Sequence, residues 1–374
     1  MAESSNGPVL RGVREERWGA CHVFIIDRGG ALNAIDASMV SVLAERYPKV
    51  ARDASIYAVV LRSADPRAFS AGGDVRALVE AAARDIETAK AWLGAEYRLN
   101  WLHECFSKPS IALIDGIVMG SGVGISAYAT HRVAGARYKF AMPETAIGFF
   151  PDVGSAYFLS RMPNRIGLYL GLTGSTIGRA DAYALGLVTH CIDADAYPAI
   201  EAALADCQPV DPVLDGLHVD PGAGLLEEHA ELISECFAGP TIASIVSALE
   251  DAGQGGASVR GDASRAAFAQ ATLATLQSRS PLALAVTLRH LRDAAVLDLR
   301  QTLEADYRLA CRFLETSDFA EGVRAVLVDK DQKPRWRPAR IADVTDDMLD
   351  DMFAPMPGLE LNLPLRQQMQ ALRV

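Results

Sequence analysis

Apolar positions along this chain switch between short continuous runs and helical spacing. His22-Val-Phe-Ile-Ile-Asp27, Tyr57-Ala-Val-Val-Leu-Arg62 and Ser110-Ile-Ala-Leu-Ile114 are brief apolar runs with polar residues or Pro109 at their borders, which predicts strands. The second and third are apolar at almost every position, as in strands buried on both faces. Between them the period changes. Met39, Val40, Leu43 and Tyr47 recur at helical spacing behind Asp36, which predicts an amphipathic helix with Asp36 as its N-cap. Asp74–Ala83 reads as helix opened by an acid, and helix resumes over Ile86–Cys105. Gly124–Ala129 is small and helix-compatible, and Arg132-Val-Ala134 predicts a further strand. Strands alternating with helices predict an α/β architecture of short strand–helix units. No sequence-level repeat accompanies the alternation.

The second half is patterned differently. Asp206–Gly224 is rich in Pro, Asp and Gly and predicts a long loop. Helical spacing then dominates Ile242–Ala252, Ala263–Arg279, Pro281–Ala295 and Leu299–Glu315, interrupted by Gly253-Gln-Gly-Gly256. From Gln332 the chain is Pro- and Arg-rich, then acidic, which predicts a segment wrapping the surface. The 374 residues thus divide into a core (1–235), a helical C-terminal region (236–345) and a surface tail (346–374).

Composition narrows the possible partners. Half the residues are hydrophobic, enough for a sizeable core. A net charge of −11 argues against a general nucleic-acid binder, which needs a basic stripe. An acidic protein still binds an anion through local N–H groups. The six cysteines are scattered without a C-x-x-C pair, and the seven histidines show no H-E-x-x-H spacing. This predicts reduced thiols and no metal site. No apolar run approaches the ~20 residues of a membrane span, so no membrane partner is expected. The N-terminal Met-Ala-Glu-Ser-Ser-Asn-Gly-Pro lacks an apolar signal core and carries an early acid. The expectation is a cytoplasmic protein.

Candidate chemistry gathers at three places. Ala71-Gly72-Gly73-Asp74 and Gly120-Ser121-Gly122 are glycine turns that each close an apolar strand and open a helix. Two such turns can aim two backbone N–H groups at one point, as an oxyanion requires. The first is also readable as a plain tight turn with Asp74 capping the next helix. Gly120-Ser-Gly-Val-Gly124 departs from the G-x-G-x-x-G dinucleotide fingerprint. Ser121 lacks a nucleophile-elbow context. The third place is Phe140–Gly154, which sets two carboxylates, Glu144 and Asp152, eight residues apart. Local sequence leaves each acid with an ordinary alternative. Glu144 fits the first turn of a helix after Pro143, Asp152 fits an N-cap, and Glu96 fits a solvated helical acid.

These segments together resemble the crotonase (enoyl-CoA hydratase/isomerase) superfamily. The likeness rests on Ala71-Gly-Gly-Asp74, the Gly120 turn after Asp115-Gly-Ile, and Met142-Pro-Glu-Thr-Ala-Ile-Gly148. Within that superfamily, Phe140–Leu159 and Asp318–Trp336 resemble the 3-hydroxyisobutyryl-CoA hydrolases. The likeness runs from about His22 to Thr345. It implies stacked strand–strand–helix units with a helical C-terminal region and a coenzyme A thioester as substrate. It also implies an oxyanion hole from the N–H groups of Gly73 and Ser121, and substrate contacts from Glu96, Ser121, Glu144 and Asp152. Coenzyme A would lie over the loops holding Leu32, Ala34, Ala71 and Gly72. Two departures bear on acyl preference: Ser121, where the hydrolases usually have Gly, and Ser155-Ala156, where they usually have two glycines.

Enoyl-CoA hydratases, by the same resemblance, use two glutamates to activate water. The second matches Glu144, and the first falls on Gly124, which has no side chain. Asp152 stands where hydratases usually carry Gly. The resemblance therefore implies thioester hydrolysis in valine breakdown, with Glu144 as nucleophile or base, Asp152 beside it, and no cofactor apart from the coenzyme A of the substrate. The competing readings are a hydratase or isomerase for another acyl-CoA, and a non-catalytic binding protein. A small-molecule partner is expected, and a homo-oligomer is compatible with the sequence.

Overall fold

A computed structural model describes residues 10–254 and 260–374. Its strands are β1 (Val13–Trp18), β2 (Cys21–Ile26), β3 (Ala58–Ser63), β4 (Ala68–Ser70), β5 (Ser110–Ile114), β6 (Ile117–Met119), β7 (His131–Ala134), β8 (Lys139–Ala141), β9 (Ile177–Gly178) and β10 (His190–Cys191). They form two sheets. A six-stranded sheet runs β1-β2-β3-β5-β7-β10, and a four-stranded sheet runs β4-β6-β8-β9. Pairing is parallel except β1 with β2 and β8 with β9.

The alternation between sheets explains the short strand–helix period. β3, β5 and β7 lie in the large sheet, and the strand that follows each lies in the small one. After β4 comes the Val75–Arg84 helix, after β6 the single turn Ser121–Gly124, and after β8 the short turn Glu144–Ile147. The chain therefore makes three stacked strand–strand–helix units, as the resemblance implies. Each unit ends at the junction between small-sheet strand and helix, so three such junctions sit side by side. Asp36 caps the Ala37–Arg52 helix as expected, accepting from the N–H groups of Ser38 and Met39 at 2.9 Å.

The large sheet is buried on both faces, and the period-2 direction of its side chains divides them. Phe24, Ile26, Val59, Leu61, Ala112 and Ile114 face the main core with Met39, Leu43 and Tyr47. Val23, Ile25, Ala58, Val60, Ile111 and Leu113 face a smaller core on the other side. That second core corrects the expected loop over Asp206–Gly224. The segment contains a helix, Val210–Leu217, whose Val210 and Leu214 join Ile200 and Leu204 against the sheet. Burial of these residues, with Leu217 packed beside them, holds the helix despite Pro and Asp around them.

The expected C-terminal helices are present as Ile242–Gly253, Arg260–Ser278, Pro281–Ala294 and Leu299–Glu315. Of the predicted interruption, Gly255 and Gly256 lie outside the described residues. These helices share the main core with the sheets. The segment after 345 is anchored on the surface by buried Met352, Leu361, Leu363 and Met369, each worth about 1.5–3 kcal/mol when fully buried. Trp101 fixes it further, donating from Nε1 to the Pro364 carbonyl at 2.8 Å.

Candidate active site

The first glycine turn is stitched to a neighbouring loop by its own backbone. Ala71 N–H donates to Leu32 O at 3.0 Å, Ile35 N–H to Gly72 O at 2.8 Å, and Asp74 N–H to Ile35 O at 2.8 Å. The Gly72 N–H donates to Ser70 Oγ at 3.3 Å, so every backbone donor of the turn except that of Gly73 is taken. Gly72 has φ +112°, open to glycine and strained for other residues. Asp74 caps the next helix by accepting from Ala77 N–H at 3.1 Å, and pairs with Arg28 at 2.8 Å. The plain reading of this turn thus holds, and it leaves the Gly73 N–H free for the functional one.

The second turn lies against the first. Gly120 has φ +45°, and a Cβ built there would come within 2.9 Å of Glu144 Oε1 and 3.5 Å of Gly72 Cα. A Cβ on Gly73 would meet Ser121 Oγ at 2.8 Å. A Cβ at 73 or 120 would therefore displace the Ser121 hydroxyl or the Glu144 carboxyl, and at 120 the positive φ adds strain. Ser121 opens its helical turn, where the N–H has no intrahelical acceptor. Among the described residues, neither the Gly73 nor the Ser121 N–H has a hydrogen-bond partner.

Both glycine turns line a cavity of about 260 Å³. Glu96, Glu144 and Asp152 project into it, and each is less than a tenth exposed. The walls are apolar, from Leu78, Trp92, Leu93, Phe149, Phe319 and Leu327 among others. Leu32 accepts from the first turn through its carbonyl, Ala34 makes no hydrogen bond to that turn, and neither is among the lining residues.

Two ordinary readings of the acids are corrected. Glu96 is a buried acid on the inward face of the Ile86–Cys105 helix. The short Ser155–Leu159 helix begins behind Gly154 without a side-chain cap, so Asp152 is not its N-cap. Asp152 instead accepts a hydrogen bond from Tyr97 Oη at 2.7 Å. Ser155 Oγ is buried without a partner among the described residues. Glu144 stands on its short turn after Pro143, and two glycines let the Ser317–Val323 helix touch that turn. A Cβ at Gly148 would collide with Asp318 O, and one at Gly322 with the Ile147 backbone. The Asp318–Trp336 stretch therefore buttresses the catalytic candidate, and contributes Phe319, Val326 and Leu327 to the cavity wall.

Burial sets the electrostatics. It pushes the Glu144 and Glu96 carboxyls well above the ordinary carboxylate range, with the Ser121 hydroxyl partly offsetting the rise at Glu96. Asp152 is raised by burial first, then by the charges of Glu144 and Glu96. Three carboxyls in one buried pocket cannot all be ionised cheaply, so they titrate as a set. Glu96 Oε1 and Glu144 Oε2 have no partner among the described residues. The site thus offers unpaired N–H donors beside carboxyls with free oxygens, which suits a polarised carbonyl attacked by a carboxylate or by water.

Gly124 faces elsewhere. A Cβ there would lie 2.8 Å from Val153 Cβ and 2.9 Å from Asn100 Nδ2, so a glutamate at this position has no room in the present packing.

Known proteins share this architecture. The enoyl-CoA hydratase/isomerase family model matches residues 21–353. The chain belongs to that family. Members similar to this chain include the mitochondrial 3-hydroxyisobutyryl-CoA hydrolases of Xenopus tropicalis (36% identical, over 92% of this chain and 89% of the relative) and Homo sapiens (35%, with the same coverage). Another is 3-hydroxyisobutyryl-CoA hydrolase 1 of Arabidopsis thaliana, 36% identical over 96% of both chains. Among solved structures, a carnitinyl-CoA dehydratase from Mycobacterium thermoresistibile superposes with TM-score 0.86 at 37% identity, covering 94% of this chain and 98% of that one. An enoyl-CoA hydratase from Rhodobacter sphaeroides gives 0.85 at 33%, covering 94% and 100%.

Sequence reasoning missed Tyr97 and the apolar wall. Tyr97 adjoins Glu96 on one helix, but nothing local reveals that its hydroxyl reaches Asp152, 55 residues away. Phe319, Val326 and Leu327 fall inside the Asp318–Trp336 motif, so that motif was the available signal.

Proposed function

We propose that this enzyme hydrolyses acyl-CoA thioesters, with 3-hydroxyisobutyryl-CoA as substrate and 3-hydroxyisobutyrate and coenzyme A as products, in valine breakdown. The observation that carries this reading is the convergence of Glu144 and Asp152 on two unpaired N–H groups in one buried cavity. The hydrolase relatives, similar over nine-tenths of the chain, support it.

The thioester carbonyl oxygen would lie between the N–H groups of Gly73 and Ser121, which stabilise charge as it develops there. Glu144 would then act in one of two ways. As nucleophile it forms a mixed anhydride, the C–S bond breaks, and the coenzyme A thiolate leaves and takes a proton. Water then hydrolyses the anhydride and regenerates Glu144. As base it takes a proton from water, which attacks the carbonyl; the C–S bond then breaks, the coenzyme A thiolate leaves, and Glu144 gives that proton to the sulfur. Asp152 would hydrogen-bond the substrate hydroxyl or the attacking water, and Glu96 would support that network. The coenzyme A moiety would cross the stitched Leu32–Ile35 and Phe69–Gly73 loops. The proposal calls on no metal or separate cofactor, and it places the reaction in the cytoplasm.

The solved carnitinyl-CoA dehydratase and enoyl-CoA hydratase favour a competing reading, addition or loss of water at an enoyl group. Gly124 weighs against it, because the position offers no carboxylate and no room for one. A panel of acyl-CoA esters assayed for free thiol, with crotonyl-CoA hydration followed in parallel, separates the readings. Thiol release well above hydration is the expected result. Efficient hydration with little thiol release overturns the proposal, and neither activity leaves a binding protein.

A further inference from the structure

The loop that carries Asp152 depends on outside support. Val153 and Gly154 are consecutive left-handed residues, with φ of +54° and +76°. A β-branched residue seldom adopts that conformation without being held there.

The support comes from elements remote in sequence. Tyr128 Oη donates to the Val153 carbonyl at 2.6 Å. The Gly154 N–H donates to Asp306 Oδ2 at 2.6 Å, and Asp306 Oδ1 pairs with His290 Nε2 at 2.6 Å. Asp306 stands on the Leu299–Glu315 helix and His290 on the Pro281–Ala294 helix, and both are fully or almost fully buried. His290 also packs edge-on against Phe150, with ring centroids 5.6 Å apart. The same helix that bears Asp306 brings Leu299 Cδ1 within 2.7 Å of where a Gly154 Cβ would be. Neither Asp306 nor His290 lines the cavity. A buried carboxylate is costly to a fold unless its partners are good, and here one of its two partners is the backbone of the Asp152 loop.

We propose that Asp306 and His290 are positioning residues for Asp152. The pair clamps the Gly154 N–H from behind, so the loop presents the Asp152 carboxylate to the cavity and to Tyr97 Oη. The helical C-terminal region thereby fixes a side chain of the active site without touching substrate. This rests on the thioester hydrolase reading for its kinetic consequence, but the placement of Asp152 is measurable without it.

The test is a double-mutant cycle on 3-hydroxyisobutyryl-CoA thiol release with Asp306→Asn, Asp152→Asn and the double variant, with melting temperatures recorded. Asp306→Asn is expected to lower kcat/KM about 10-fold or more, because small misplacements of a reacting or orienting group are that costly. In the Asp152→Asn background the same change is expected to cost less than about 2-fold, as coupled residues do. An equal loss in both backgrounds indicates a merely structural role and overturns the proposal, as does wild-type kcat/KM in Asp306→Asn. His290→Gln, which keeps a donor toward Asp306, is expected to retain most activity, and His290→Phe to lose it. A crystal structure of His290→Phe gives a readout independent of activity. The distance from Asp152 to Tyr97 Oη is expected to open beyond 3.5 Å from its present 2.7 Å. If the wild type releases no thiol from any ester, the functional reading fails alone. The proposal then stands or falls on that distance, and an unchanged value overturns it.

Discussion

Tyr97 donates to Asp152 across 2.7 Å inside a pocket where no other described group donates to that carboxylate. The phenol and Glu96 leave the same helix at adjacent positions, so one helix supplies both an acid and the donor that orients another acid. The hydrogen bond favours the ionised form of Asp152 against burial and the neighbouring carboxyl charges.

Tyr97→Phe removes that donor while keeping the ring. A buried acceptor left unpaired costs about 1–3 kcal/mol, so kcat/KM for 3-hydroxyisobutyryl-CoA is expected to fall roughly 10-fold. Steady-state thiol release measures it. An unchanged kcat/KM would show that Asp152 is oriented from elsewhere.

Glu144→Gln keeps shape and removes both nucleophilicity and basicity. Turnover is expected to fall by about 10²–10⁴-fold, the range for losing a general base, with acyl-CoA affinity nearly unchanged. Calorimetric binding alongside steady-state rates separates the two effects. A variant above about a tenth of wild-type kcat would leave Glu144 with less than ~1.4 kcal/mol of the barrier, and the role would move to Asp152.

Asp152→Asn is expected to impair kcat/KM more for 3-hydroxyisobutyryl-CoA than for isobutyryl-CoA. A carboxylate there can accept from the substrate hydroxyl, and mispairing that group costs about 1–3 kcal/mol. The ester without a hydroxyl never made the contact. Equal losses for both esters would keep Asp152 in the chemistry and remove hydroxyl recognition.

Much of this site was legible in the sequence because its parts are turns. Gly72 and Gly120 mark backbone that other residues adopt badly, Gly73 marks a close approach to Ser121, and such needs are written locally. The acids were visible as residues, but their environments were not. Glu96 looks like any helical surface acid until Leu93, Tyr97 and Asn100 are seen to turn the same face inward. Asp152 looks like a cap because Pro151 precedes it, and only the chain fold sets Tyr97 over it. The Val210–Leu217 helix escaped for the opposite reason. Its local composition favours a loop, and burial of Val210 and Leu214 against the sheet overrides it.

Gly124→Glu tests the hydratase alternative by restoring a carboxylate in sequence. Its Cβ would collide with Val153 and Asn100, displacing the backbone next to Asp152. Overpacking of this kind typically costs about 1–3 kcal/mol, and a buried unpaired charge adds to it. The expected outcome is a lower melting temperature and reduced thiol release, with no gain in crotonyl-CoA hydration. Appearance of efficient hydration would show that the fold accommodates the second glutamate after all.

The raised carboxyls make stability depend on pH in a direction opposite to that of paired surface acids. A carboxyl whose pKa is higher in the folded state than in the unfolded chain binds its proton more tightly when folded. Its stabilising contribution is complete below the unfolded value near 4 and is lost as pH rises through the folded value. Burial raises Glu144, Glu96 and Asp152 alike, so ligand-free enzyme is expected to lose stability between about pH 5 and pH 8 on their account. Glu144→Gln and Glu96→Gln remove one ionisation each. Each variant is therefore expected to melt higher than wild type at pH 8, with the gap closing toward pH 5. Surface pairs such as Asp343 with Arg340, whose carboxyl is held low, remain in all three proteins and cancel in the difference. Thermal unfolding of the three proteins across this range gives the comparison directly. A gap that is absent at pH 8, or that widens as pH falls, would mean that these carboxyls are hydrated or paired in the free enzyme and that burial does not set their titration.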